Sequence, residues 1–86
     1  MDLSIVIPLL NESESLPELH RWIKEVMHKH NFSYEVIFVD DGSTDDSWKC
    51  IEKLSAIDQN VKGIKFLRNY GKSQALHAGF EKAQGD

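Results

Sequence analysis

Continuous apolar runs alternate along the chain with stretches of helical period. The apolar runs, which are rich in Val, Ile and Phe, lie at 3–7, 34–39 and 61–67, and the third is less continuous because Lys62, Gly63 and Lys65 interrupt it. Such runs are typical of strands buried on both faces of a parallel sheet. After each run, apolar residues recur three and four positions apart, as they do in amphipathic helices. The first two predicted helices begin near Leu16 and Asp45, and the third runs from Lys72 to Gln84. Because no hairpin turn separates the strands, the pattern predicts an α/β fold, β-α-β-α-β-α, around a parallel sheet.

Turn and capping residues suggest where these elements begin and end. Pro8 is expected to end the first strand, because proline has no N–H to donate to a ladder. Pro17 suits the first turn of the first helix, and Asn31 suits its C-cap. Ser43 or Thr44 is expected to cap the second helix.

Composition narrows the class of protein. The chain has 86 residues, which allows one small domain, and its 41% apolar and 28% charged residues are ordinary for a globular one. The net charge of −4 argues against a nucleic-acid partner. Cys50 is the only cysteine, so no intrachain disulfide is possible and a reducing compartment fits. No apolar stretch approaches the roughly 20 residues of a membrane span. We therefore expect a cytoplasmic location.

The two ends of the chain suggest a piece of something longer. Met1 lies directly before the first predicted strand, as expected of a true start. Gly85 and Asp86 follow the last predicted helix at the point where another strand should begin. We therefore expect residues 1–86 to form the N-terminal part of a larger domain.

Three polar segments are predicted at one edge of the sheet, because the carboxyl ends of parallel strands meet there. They cover 8–12, 40–45 and 68–73. Ligands of open α/β folds bind in the crevice outside the carboxyl ends of the strands. The three segments are therefore the candidate walls of one binding crevice.

Three aspartates lie in the second wall and a fourth, Asp46, follows it directly. Side chains alternate along a strand, so either Asp40 or Asp41 can face the crevice while the other braces the turn. We expect Asp40 to brace the turn and Asp41 to accept hydrogen bonds from a nucleotide base or ribose, as the acids of dinucleotide folds do. Asp45 and Asp46 suit the positive end of the next helix. The alternative is that the whole cluster serves only as a helix cap and a solvated turn.

The other two walls carry weaker signals. Glu12, next to Asn11, can accept from a ribose hydroxyl, and Leu9 and Leu10 can pack against a base; a capping arrangement explains the same residues equally well. Lys72 at a helix N-terminus suits a phosphate, although a solvated surface lysine is the simpler interpretation. No His, Cys and acid spacing indicates a metal site, and no Gly-x-Gly-x-x-Gly or Walker loop follows a strand.

Three blocks, taken in order, resemble a known family. They are IVIPLLNE from Ile5, VDDGSTD from Val39 and RNYGK from Arg68. Together they resemble the N-terminal part of family 2 glycosyltransferases, whose fold is GT-A. The last block, continued to Asp86, resembles the polyprenyl-phosphate branch, which includes dolichyl-phosphate mannosyltransferase and bactoprenol glucosyltransferase. The resemblance covers the whole chain and implies the Rossmann-like, nucleotide-binding half of a GT-A domain.

The resemblance implies roles for individual residues. The segment that lines the base and ribose corresponds to Pro8, Leu9, Leu10, Asn11 and Glu12. Asp41 matches the aspartate that contacts the base, with Val39 and Asp40 beside it, and Lys72 falls in a loop facing the nucleotide. The donor would be a UDP- or GDP-sugar, with Mg²⁺ or Mn²⁺ on its phosphates. The acceptor would be a hydroxyl or a polyprenyl phosphate, which places the full-length enzyme at the cytoplasmic face of a membrane.

The chain departs from the family pattern in two places. Leu10 stands where the family often has an aromatic residue that stacks on the base. The chain also ends before the strand that carries the family's metal-binding Asp-x-Asp motif, so the metal ligands and catalytic groups are expected beyond Asp86. The fragment should then hold part of a donor site without turning the donor over, and its unfinished sheet should self-associate. Two alternatives stay open: a receiver-like regulatory domain and a non-catalytic interaction module.

Overall fold

A computed structural model of the chain describes residues 2–68 and 71–83. The elements are β1 (Leu3–Leu9), α1 (Leu16–His30), β2 (Tyr34–Asp41), α2 (Ser47–Ile57), β3 (Val61–Phe66) and α3 (Lys72–Lys82). The strands are parallel and lie in the order β1-β2-β3. The predicted β-α-β-α-β-α succession and the parallel sheet are confirmed.

The central strand β2 is buried along its entire length, and its alternate side chains face two different helical layers. Val36 and Phe38 join the core formed with α1 and α2. Ile37 and Val39 pack under α3 on the other face. A strand covered on both sides has no solvent-facing positions, which explains why its sequence is a continuous apolar run rather than an alternating one.

Helix α3 follows β3 in sequence but packs against β1 and β2. Ala75 is fully buried in this contact. Gly79 lies so close to Val6 that a Cβ at position 79 would overlap the valine side chain. The return of α3 across the sheet brings its first residues above the carboxyl end of β2.

The first strand does not end at Pro8, contrary to the sequence expectation, but continues through it to Leu9. The N–H of Leu3 donates to the carbonyl of Ser33 at 3.1 Å, and alternate residues along a strand point the same way. The nitrogen of Pro8 therefore points away from β2. Because β1 is an edge of the described sheet, the missing N–H removes no bond to β2.

The helix boundaries differ from the expected ones at two points. Helix α2 begins at Ser47 rather than near Asp45, and α3 ends at Lys82 rather than Gln84. The predicted closure at Gly85 lies outside the described residues. Pro17 in the first turn of α1 and Asn31 as its left-handed C-cap, with φ of 58°, are both confirmed.

Candidate functional site: a crevice at the carboxyl ends of the strands

Asp40 holds the turn that follows β2. It is 1% exposed, and its Oδ1 accepts a hydrogen bond from the N–H of Ser43 at 2.8 Å. Between them lies Gly42, with a φ of 82°, where glycine allows the chain to reverse without steric cost. The expected turn-bracing role of Asp40 is confirmed.

Asp41 points to the opposite face of the sheet, towards α3. It is 6% exposed, and its Oδ2 accepts a hydrogen bond from the N–H of Gly71 at 3.0 Å. Gly71 is the N-cap of α3, with φ 96° and ψ 160°, a region that is essentially open only to glycine. One carboxylate therefore joins the second wall of the crevice to the third.

Asp45, rather than Ser43 or Thr44, serves the start of α2. Its Oδ1 accepts from the N–H of Ser47 at 2.9 Å and from the Ser47 hydroxyl at 2.5 Å. The N-cap residue itself, Asp46, makes no side-chain cap bond. The hydrogen bond from the Ser47 hydroxyl is the main reason that the pKa of the Asp45 carboxyl is lowered to about 2. The expectation that Ser43 or Thr44 caps α2 was wrong, because both engage the first wall instead.

Reciprocal hydrogen bonds connect the first wall to the second. Three consecutive N–H groups of the β1–α1 loop donate directly to the segment between β2 and α2: Asn11 to Ser43 Oγ at 2.9 Å, Glu12 to Ser47 Oγ at 2.9 Å and Ser13 to Asp45 Oδ2 at 3.3 Å. In return, Asn11 Oδ1 accepts from the N–H of Thr44 at 2.9 Å and of Asp45 at 3.3 Å. We call this set of bonds the loop lock.

The predicted nucleotide-binding residues divide by exposure. Leu9 and Val39 are buried in the two cores and present no side chain to the crevice. Leu10 is 41% exposed and is the apolar side chain at the rim. Glu12 is also exposed, and its Oε2 accepts from the Ser15 hydroxyl at 3.2 Å. Leu10 and Glu12 are thus exposed at the rim, while Leu9, Val39 and Asp41 are buried.

Lys72 is the first residue of α3, as predicted, while its side chain lies outside the described part of the chain. The free N–H groups of a helix N-terminus favour an anion at this position. Within residues 2–68 and 71–83, no group of three or more His, Cys, Asp or Glu side chains is arranged to hold a metal ion. The described residues therefore do not by themselves form a binding site for the divalent cation that the family resemblance implies.

Two buried polar pairs escaped the sequence analysis. Glu35 is fully buried within β2 and accepts from the Ser4 hydroxyl at 2.7 Å and from Lys62 Nζ at 2.9 Å. His20 Nε2 lies 2.8 Å from Asp58 Oδ2. In the sequence, the only indication of the buried Glu35 contact is a single acidic residue within an apolar run. For His20 the available signal was a polar residue on the apolar stripe of α1, and Asp58, the C-cap of α2, gave no comparable signal. Both pairs lie away from the crevice residues.

Comparison with known proteins agrees with this geometry. The family model described as glycosyl transferase family 2 matches residues 4–86. The chain belongs to glycosyl transferase family 2.

Relatives of known name are similar over nearly the whole chain. An undecaprenyl-phosphate 4-deoxy-4-formamido-L-arabinose transferase of Pseudomonas fluorescens is 48% identical over 84 residues, covering 96% of this chain and 25% of that protein. A bactoprenol glucosyl transferase of Shigella phage SfV is 36% identical over 86 residues, covering 100% of this chain and 28% of that protein. This chain therefore spans about a quarter of the length of these relatives.

A solved structure supports the fold. The mannosyltransferase of Pyrobaculum calidifontis, determined in complex with GDP-Man and Mn²⁺, superposes with a TM-score of 0.78 at 22% identity, covering 95% of this chain and 24% of that one. The expected Rossmann-like half of a GT-A fold is confirmed. Among the described residues, no helix combines the length and the apolar character needed to cross a membrane.

Proposed function

We propose that residues 1–86 bind the nucleotide part of a UDP- or GDP-sugar as the first portion of a glycosyltransferase domain. The observation that carries the proposal is the position of Asp41. Its buried carboxylate ends the central strand and accepts a hydrogen bond from the N–H of Gly71 at the start of α3. A carboxylate held there can accept a hydrogen bond from a base N–H, and burial strengthens such a bond.

The neighbouring residues would complete the donor contact. The exposed carboxylate of Glu12 would accept from a ribose hydroxyl, and the exposed Leu10 would cover one face of the base by aliphatic packing. The N-terminus of α3, with Lys72, would face the diphosphate. Pro8, Asn11 and Asp40 would shape the loops around these contacts, and Leu9 and Val39 would support them from the two cores.

The sugar would pass to an acceptor supplied by the membrane. Both named relatives are transferases whose names specify an undecaprenyl-phosphate or bactoprenol substrate, which supports a polyprenyl phosphate as the acceptor. An enzyme of this kind would work at the cytoplasmic face of a membrane. A divalent metal, Mg²⁺ or Mn²⁺, would offset charge on the donor diphosphate, and its ligands would come from residues beyond this segment.

Titration of the isotope-labelled chain with UDP and GDP tests the proposal. We expect millimolar nucleotide to shift the amide resonances of Asp41 and Glu12. Asp41→Asn should weaken binding about tenfold or more, because a hydrogen bond to a charged group is lost. Asp46→Asn removes the same charge from an exposed position nearby and should bind like the wild type. Absence of any shift at Asp41 and Glu12 with either nucleotide would contradict the proposal.

The receiver-like alternative gains no support. Such a domain needs a phosphorylated aspartate at the end of its third strand, and here β3 ends at Phe66 and is followed by Leu67 and Arg68. A non-catalytic interaction module within the same family stays an alternative. It predicts that longer forms of the chain bind nucleotide sugar without transferring the sugar.

We also propose that the isolated chain self-associates. The edge of β1 and several large exposed side chains, including Trp22, Ile57, Leu67 and Phe80, leave apolar surface in contact with water. Phe80, on α3, is 63% exposed. Sedimentation equilibrium should show dimers or larger species at high concentration, and a clean monomer would contradict this.

A further inference from the structure

The side chain of Asn11 is hydrogen-bonded to the loop after β2. Its amide oxygen accepts hydrogen bonds from two consecutive backbone N–H groups, those of Thr44 and Asp45. The hydroxyl of Thr44 lies 3.4 Å from the same oxygen. The loop after β2 belongs to neither a strand nor a helix, so its backbone N–H groups need hydrogen-bond acceptors from elsewhere. The Asn11 oxygen is the acceptor for two of them.

The backbone of Asn11 is adapted to the same task. Its φ is 54°, in the left-handed region that Asn tolerates better than most residues. This turn of the backbone lets the N–H of residue 11 donate to Ser43 while its side chain reaches back to Thr44 and Asp45. A single residue thus contributes both a donor and an acceptor to the loop lock.

The loop lock joins the two segments that carry the proposed donor contacts. Glu12 is adjacent to Asn11, and its own N–H donates to Ser47 at the start of α2. Asp41 immediately precedes the turn that leads into Thr44. Fixing residues 11–13 against 43–47 therefore fixes the backbone of Glu12 relative to that of Asp41 before any ligand arrives.

We infer that Asn11 is a positioning residue: its amide oxygen pre-organises the donor crevice by locking the two loops together, and it does not itself contact the nucleotide. This inference rests on the proposed function and specifies how the site is held. Rigid loops bind with less loss of conformational entropy than mobile ones, so removal of the lock should weaken donor binding without removing a donor contact.

Three substitutions separate the roles of the backbone and of the oxygen. Asn11→Gly keeps the left-handed φ and removes the oxygen. Asn11→Asp keeps an oxygen and a residue type that tolerates this φ. Asn31→Gly is the matched control, because Asn31 also has a positive φ, of 58°, and caps α1 away from the crevice.

The first measurement is amide hydrogen exchange, which does not depend on any ligand. We expect exchange at Thr44 and Asp45 to accelerate about tenfold in Asn11→Gly, the effect of losing one ordinary hydrogen bond. Asn11→Asp and Asn31→Gly should exchange like the wild type. Unchanged exchange at Thr44 and Asp45 in Asn11→Gly would show that the Asn11 oxygen does not hold the two loops together.

The second measurement is the affinity for GDP and UDP, taken alongside the free energy of unfolding. Asn11→Gly should bind about tenfold more weakly, and Asn11→Asp should restore most of the affinity. A weakening in Asn11→Gly that Asn11→Asp fails to restore would identify Asn11 as a direct ligand contact and overturn the inference. If the wild type binds neither nucleotide, the proposed function is wrong, and so is the role of Asn11 in positioning the donor site. The hydrogen-exchange data would still show whether Asn11 holds the two loops together.

Discussion

His20 Nε2 and Asp58 Oδ2 lie 2.8 Å apart, with side-chain exposures of only 11% and 8%. Burial by itself would raise the pKa of the Asp58 carboxyl. The hydrogen bond from His20, a second one from the N–H of Asn60 and the nearby positive charge outweigh burial, so this pKa lies below 3.8. The pair connects α1 to the turn between α2 and β3.

Asp58 should therefore contribute to stability in a pH-dependent way. A carboxyl whose folded pKa is lowered stabilises the native state above its unfolded value of about 3.9, and this contribution is lost as the pH falls through the folded pKa. Asp58→Asn should lower the free energy of unfolding at pH 7 by about 1–3 kcal/mol and flatten its decline below pH 4. Urea denaturation at several pH values measures both effects. Glu52→Gln, at an exposed position on α2, should change neither.

The hydroxyl of Ser47 should control the titration of Asp45. Because hydrogen bonds from Ser47 and Ser13 lower the pKa of this carboxyl to about 2, its carboxylate stabilises the loop above the ordinary 3.8. That contribution is lost as the pH falls through about 2. Carbon NMR of the carboxyl group should give a midpoint of about 2 in the wild type, and Ser47→Ala should move it upward. The exposed Ser73→Ala should leave it unchanged. An equal midpoint in Ser47→Ala would contradict the assignment.

Gly71 should not tolerate replacement. At φ 96° and ψ 160° it occupies a region essentially closed to residues with a Cβ, although an added Cβ would meet no atom within 4 Å. The cost of Gly71→Ala is therefore conformational, and we expect about 1–3 kcal/mol of destabilisation in urea denaturation. Because the N–H of Gly71 donates to Asp41, nucleotide affinity should fall as well. Equal stability of Gly71→Ala and wild type would show that this backbone conformation is not required.

Replacement of Gly79 by alanine should destabilise the protein, although helix propensity alone favours alanine. Alanine is favoured over glycine within helices by up to about 1 kcal/mol, yet a Cβ at position 79 would overlap Val6. We expect Gly79→Ala to destabilise the protein by about 1–3 kcal/mol, the usual cost of overpacking. In the double variant with Val6→Ala, the substitution at Gly79 should cost less or become favourable. Additive effects in this double-mutant cycle would show that the two residues do not contact.

The fold was predictable because the first two strands are largely continuous apolar runs, the third is a shorter, interrupted one, and each helix has a regular stripe. The opposite directions of Asp40 and Asp41 were also predictable, since side chains alternate along any strand. The partner of Asp41 was not predictable, because Gly71 comes near it only when α3 returns across the sheet. That path depends on packing between α3 and β1 and has no local signal.

The start of α2 shows why boundaries were harder to predict than elements. Residues 43–47 are all Ser, Thr or Asp, and each has a similar intrinsic preference for a capping position. The choice among them is made by the other loop: Asn11 engages Thr44, and its N–H engages Ser43. Asp45 instead accepts a hydrogen bond from the N–H of Ser47. Long-range contacts of this kind leave no trace in residue type alone.

Pro8 has a consequence for any strand that might extend the sheet. The N–H of Val6 is directed to the outward edge of β1, and Pro8, the next position with the same orientation, has no N–H. A further strand, from another copy or from elsewhere, would therefore find no hydrogen-bond donor at the last outward position of β1. β-augmentation at this edge is weakest beside the proposed nucleotide site.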